Sequence, residues 1–220
     1  MSYNLNVNIN NVNIERVFHT KFLGVLIDHQ LNWKEHIDYI CKKRSKSIAV
    51  IRKARVMLKF DALYMLYCSI FLPYLNYCVE LWENTYKSNT NKVFLKQKKV
   101  IRIIHNAGYI EHTSPLFFQC KALKFPDIVN FSTGTFMYKA FHKSLPPNLQ
   151  NYFIRNTNER RTRQSEFNFY QKYVSTRKKQ FSISISGVVL SNSLNTGISK
   201  TKSLQLFKKE YKHNLLSTYI

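Results

Sequence analysis

The stretch ALYMLYCSIFLPYLNYCVELW carries no charged residue between Asp61 and Glu80. An uncharged run of this length is either a buried core helix or a membrane span, because a bilayer needs about 20 apolar residues. Lysines and arginines flank it on both sides, as they would flank a span. Asn76, the tyrosines at 64, 67, 74 and 77, and Pro73 weigh against insertion. A core helix is therefore expected, with Asp61 as its N-cap and a kink at Pro73. With 220 residues and 45% hydrophobic side chains, the chain can bury a core around that helix, as one domain or two small ones.

Charge narrows the function classes next. Thirty-four Lys and Arg against 12 Asp and Glu give a formal net charge of +22. Such an excess attracts polyanions, nucleic acid first and an anionic membrane second. Cys41, Cys68, Cys78 and Cys120 form no CxxC pair and no zinc-like spacing with histidine. They read as reduced, mostly buried residues. The opening MSYNLNVNINNVNIERV has neither a basic head with an apolar core nor an Arg-rich amphipathic helix, so an intracellular location is the default, with nucleus or cytoplasm left open.

Along the chain, Leu5, Val7, Ile9, Val12 and Ile14 alternate around Asn10-Asn11, a hairpin pattern, and FLGVLI (Phe22–Ile27) reads as the next strand of a small antiparallel sheet. Within that strand Gly24 marks a bulge or a close backbone approach. From Trp33 to Leu58 the period becomes helical: Ile37, Ile40, Cys41, Ile48, Ile51 and Leu58 share one face, and Lys42, Lys46 and Lys53 point the opposite way. Arg44 and Arg55 fall on the apolar side, where their heads must snorkel or find partners. A further helix is expected over 91–107, with Val93, Gln97, Val100 and Ile104 inward, Lys98, Lys99 and Arg102 outward, and Gly108 as the residue after the C-cap. Ser114-Pro115 reads as N-cap and first residue of a short helix, and Pro126 opens a segment through Phe141 that Leu145-Pro146-Pro147 ends. After about Arg155 the chain turns basic and aromatic without a clear period. FSISISGVVL alternates like a strand pair, and a last amphipathic helix is capped near Ser203.

The fold class is thus α+β, mainly α. Its parts are a sheet over 1–30, a three-helix bundle over 31–110, further helices over 111–154, and a looser basic region over 155–220.

Catalytic motifs are missing from the sequence. A two-metal nucleic-acid enzyme needs carboxylates held close together, yet no two of the twelve acids are adjacent. Glu35 and Asp38 read as local ion-pair partners for Lys34 and Lys42. There is no Walker loop, GxSxG or HExxH, and five glycines build no phosphate-cradling loop. Neither His105 nor His112 has a nucleophile or metal-like spacing beside it, and the chain on its own does not read as an enzyme.

The succession KFLGVLIDHQLNWKEHI, CKKRSKSIAVIRK, LYMLYCSIFLPYLNYCVELW, KVFLKQKKVIRII, HTSPLFF and MYKAFHKSLPPNL resembles, in order and spacing, the C-terminal half of reverse transcriptases from non-long-terminal-repeat retrotransposons of the LINE and jockey kind. The resemblance covers nearly the whole chain and implies the end of a palm, the thumb helices and a C-terminal region. TRKKQFSISISGVVLSNSL is similar to that family's tail, with Ser191 where an aromatic, usually Trp, is expected. Arg44 stands where the family more often has an apolar residue.

By that resemblance Phe22, Leu23, Gly24 and Val25 correspond to the primer grip, where glycine lets the backbone approach the primer terminus. Lys42, Lys46, Lys53, Lys98, Lys99 and Arg102 are the expected contacts to template–primer phosphates, and Arg155 to Lys179 a second basic surface. The family's fingers, most of its palm and its paired catalytic aspartates would lie before Met1, and the Mg2+ of the parent polymerase with them, so no cofactor is expected here. Implied partners are the RNA or DNA backbone and a palm encoded elsewhere; a membrane is not expected. Alternatives left open are a membrane-associated protein with a span near 62–82, and a non-catalytic relic with no selected function.

Overall fold

Asn10 and Asn11 take positive φ, 50° and 62°, and turn β1 (Val7–Ile9) back onto β2 (Val12–Ile14). Two consecutive left-handed residues are what a two-residue hairpin turn demands, and asparagine tolerates that region. The computed structural model describes residues 7–156, 168–194 and 201–219, and its fold is α+β and mainly helical. Leu5 of the expected alternation lies outside the described residues.

A second hairpin follows, and it corrects the expected single strand over Phe22–Ile27. β3 (His19–Phe22) pairs antiparallel with β4 (Val25–Asp28), Phe22 opposite Val25 and His19 opposite Asp28. Leu23 (φ 44°) and Gly24 (φ 85°) are the turn between them. The two hairpins form separate two-stranded sheets rather than one.

Asp28 joins the second hairpin to the helices. Its carboxylate accepts hydrogen bonds from the backbone N–H of Gln30 (3.0 Å), Asn32 (3.2 Å) and Trp33 (2.8 Å), the last being the left-handed N-cap residue of α1 (Lys34–Ala54). Those donors would otherwise be unpaired at the helix start.

The uncharged segment is a core element, but a broken one. α2 (Phe60–Leu66) passes into a π-helical turn (Tyr67–Phe71) and then α3 (Leu72–Asn76). Pro73 has no N–H to donate to Ser69 and its ring crowds that carbonyl, which loosens the ladder just ahead of it. The chain breaks at Tyr77 and at Cys78 (φ 49°), and α4 (Val79–Trp82) follows. No described helix is long and apolar enough to cross a membrane, which weakly disfavours a span near 62–82.

α5 (Lys87–Ile104) lies beside α1. Lys92 reaches Asp38 and Lys96 reaches Ser45, so contacts advance together and the helices run parallel, with α2–α3 returning between them. Ile37, Ile51, Tyr67, Phe71, Leu75, Val93, Val100 and Ile101 are fully buried in the shared core. After α6 (Ser114–Gln119), the long α7 (Phe125–Phe141) packs on the bundle and also receives the C-terminal elements. α8 (Pro147–Gln150) and α9 (Arg177–Gln180) are single turns. α10 (Ile183–Ser193) buries Val188 against Met137, and α11 (Leu204–Ser217) buries Phe207 and Tyr211 against Tyr138. Tyr219 joins the main core, so the end of the chain docks on the bundle.

Several expected boundaries shift. α1 ends at Ala54, which leaves Leu58 and Arg55 exposed. Lys59 occupies the cap position before α2 and Asp61 lies in its first turn, where a carboxylate meets the positive helix end. α5 closes on Asn106 (φ 54°) rather than Gly108, with Ala107 N–H reaching back to the Arg102 carbonyl. Thr113 precedes α6, and Ser114 is already helical. FSISISGVVL is helix, not a strand pair.

Candidate nucleic-acid interface

The turn that carries the expected primer-grip residues is held from outside the hairpin. Tyr77, at the break between α3 and α4, donates from its hydroxyl to the Leu23 carbonyl at 2.6 Å. A methyl group built on Gly24 would come 3.6 Å from its ring. The Trp82 indole N–H in turn donates to the Tyr77 carbonyl at 2.9 Å. Gly24 therefore supplies positive φ at a turn that Tyr77 covers, rather than a bulge in a strand. Phe22 and Leu23 are exposed on it and Val25 is buried.

Below the turn lies a cavity of about 340 Å³ lined by His36, Tyr39, Tyr74 and Tyr77 among others. His36 is 3% exposed, and its Nδ1 accepts the Leu26 N–H at 3.2 Å, which puts the ring proton on Nε2. Burial lowers its pKa to about 4, so the ring is neutral at pH 7. Lys21 and Lys43 place their ammonium groups 5.9 and 5.6 Å from the Tyr39 ring centre.

Arg44 is the buried cation of the bundle. Its guanidinium donates to the carbonyls of Ile70 and Phe71, the latter at 3.1 Å, and stacks 3.7 Å from the Tyr74 ring centre. Ser47 adds a bond to the Ile70 carbonyl at 3.0 Å. The π-helical turn and the arginine explain each other: the distorted ladder offers carbonyls that a cation must satisfy.

The six expected phosphate contacts do not form one uniform patch. Lys42, Lys46 and Lys53 are exposed on the outer face of α1, and Lys99 is exposed on neighbouring α5. None of these four is in an ion pair among the described residues. Lys98 instead lies 4.3 Å from the centre of the Phe94 ring, and Arg102 donates to the Glu111 carbonyl at 2.9 Å. Asp38 pairs with Lys92 at 3.0 Å across the two helices, not with Lys34 or Lys42. Of the second basic surface, 157–167 lies outside the described residues; Arg155 donates to the Phe141 carbonyl and stacks on its ring, while Arg177 to Lys179 are exposed on α9.

Other reactive groups are quiet. Burial pushes the Cys120 thiol up to about 12, which leaves no thiolate at neutral pH despite His105 at 2.9 Å. Among the described residues no group of three His, Cys, Asp or Glu could hold a metal ion. Glu80 and Glu83, one turn apart, do not fit Mg2+: burial, with Glu80 adding to it, raises Glu83 to about 7, and Glu80 accepts from the Ser132 hydroxyl.

No family model, curated protein or solved structure matches the chain.

Proposed function

We propose that this chain is the palm-end and thumb part of a polymerase similar to non-long-terminal-repeat reverse transcriptases, and that it holds a nucleic-acid duplex by its phosphates without reading sequence. Catalysis would belong to a palm outside this chain. The observation that carries the proposal is the pair of parallel helices α1 and α5 presenting Lys42, Lys46, Lys53 and Lys99 to solvent with no ion-pair partner among the described residues. Lysines without a fixed hydrogen-bonding fork suit phosphate neutralisation and not base recognition. Binding then releases counterions, and log affinity falls linearly with log salt by about 0.9 for each phosphate neutralised on duplex DNA.

The testing experiment titrates a labelled duplex with wild type and with the variant in which these four lysines become alanine, over a series of salt concentrations. A slope flattened by about 2 to 4, with little dependence on duplex sequence, supports the reading. An unchanged slope refutes the assignment of these lysines, and a strong preference for one sequence refutes phosphate-only binding.

A further inference from the structure

A further basic surface, distinct from both the α1–α5 face and the Arg155–Lys179 stretch, lies where α11 crosses α7. A cavity of about 380 Å³ there is ringed by Lys121, Lys139, Lys208 and Lys212, brought from the turn after α6, from α7 and from α11. None of the four is in an ion pair among the described residues. The one acid lining this cavity, Glu80, is engaged by the Ser132 hydroxyl. A neighbouring open cavity shares Lys121 and Lys212 and adds Lys209, His213 and one acid, Glu210, so the two form one trough along α11 whose lysines outnumber its acids. Its wall includes the half-buried rings of Tyr64, Phe131 and Phe136, which on their inner sides pack on Tyr67, Tyr211 and Phe153, and the exposed Asn76.

We propose that this trough binds single-stranded nucleic acid, independently of the duplex-binding face on α1 and α5. Cations along a groove with aromatic rings in its wall are the pattern that tracks a phosphate backbone while admitting unpaired bases of any sequence. A duplex buries its bases against each other and offers nothing to the aromatic wall, and the cavity is of a size for single bases, not for a double helix. The lysines come from three elements distant in the chain and converge only in the folded state.

The test uses the full chain with Lys121, Lys208 and Lys212 changed to alanine, all three exposed on the surface, and circular dichroism to check the fold. The probes are a labelled oligothymidylate of about 12 nucleotides, within the usual range of single-strand site sizes, and a labelled duplex. Single-strand affinity is expected to fall about tenfold or more, with a salt slope flattened by about 2, while duplex affinity holds. Unchanged single-strand binding, or equal loss on both probes, overturns the trough. Inorganic polyphosphate of matched charge serves as competitor: weaker competition than by unlabelled oligothymidylate supports base contacts, and equal competition overturns them. The variant at Lys42, Lys46, Lys53 and Lys99 is run in parallel, so a failure of the duplex face is read separately from a failure of the trough.

Discussion

Arg44 shows how one residue can carry the apolar segment's irregularity. Its guanidinium satisfies carbonyls that the π-helical turn leaves open, in a site where the side chain is 2% exposed. Arg44→Ala takes the guanidinium from the Phe71 carbonyl, leaves Ser47 as the remaining side-chain donor to Ile70 and opens space under Tyr74, and is expected to cost about 3 kcal/mol in a urea titration. Arg44→Lys should recover only part, because an ammonium lacks the planar fork and the stacking face. An alanine variant as stable as wild type would show that the carbonyls find other donors. The sequence announced that an arginine sits on the apolar face, but not its partners: the π-turn lies 26 residues away along the chain from Arg44.

His36 and Glu83 make a second residue-scale prediction, with opposite signs. His36 has its folded pKa lowered from 6.5 to about 4 by burial, so the unfolded chain binds the extra proton and stability is lost as pH falls through that window, by about 3 kcal/mol if it acted alone. Glu83 has its folded pKa raised from 4.5 to about 7, so the folded chain takes up the proton first and gains stability as pH falls from about 7. The two offset each other in wild type. Glu83→Gln should expose a steeper acid loss between pH 6.5 and 4, and His36→Gln should remove it; parallel stability curves for all three proteins would count against both assignments.

At the scale of elements, two glycines decide how the C-terminal helices dock. A methyl group on Gly134 would come 2.5 Å from the Tyr211 ring, and one on Gly187 2.8 Å from the Met137 sulfur. Gly134→Ala is therefore expected to push α11 off α7, lower the melting temperature by several degrees and weaken oligothymidylate binding more than duplex binding. Equal effects on both ligands would detach α11 from the trough. The same contact explains why FSISISGVVL departs from its pattern: Ile and Ser alternate like a strand, but Gly187 lets the segment lie against Met137 as a helix, and tertiary packing overrides the local period. The turn at Leu23-Gly24 was hidden for a related reason. Leucine is not a turn former, and its φ of 44° is held where Tyr77 donates to its carbonyl, a contact 54 residues distant. By contrast, Asn10-Asn11, the inward face of α5 and the Ser203 cap of α11, which accepts the Leu206 N–H, were legible because each depends on local chemistry.

Across the whole molecule, the charge of +22 pointed to a polyanion, but composition could not say where it would sit. The fold divides the basic residues into those it engages within the chain and those it leaves without an ion-pair partner among the described residues. Lys92, Lys98 and Arg102 are engaged within the chain, on Asp38, Phe94 and the Glu111 carbonyl. Lys42, Lys46, Lys53 and Lys99 are left on the α1–α5 face, and Lys121, Lys139, Lys208 and Lys212 around the trough. The outward lysines on α1 and α5 were legible from helical period, since their position follows from one helix at a time. The trough was not, because only Lys208 and Lys212 share a helix, and Lys121 and Lys139 join them from elements far off in the chain.

The proposed duplex face on α1 and α5 stands or falls on its four exposed lysines. Its most direct measurement is the salt dependence of duplex affinity for wild type against the variant with alanine at Lys42, Lys46, Lys53 and Lys99. A log–log slope flattened by about 2 to 4 in the variant, at unchanged melting temperature, is the predicted result. Superimposable salt plots for the two proteins would contradict it.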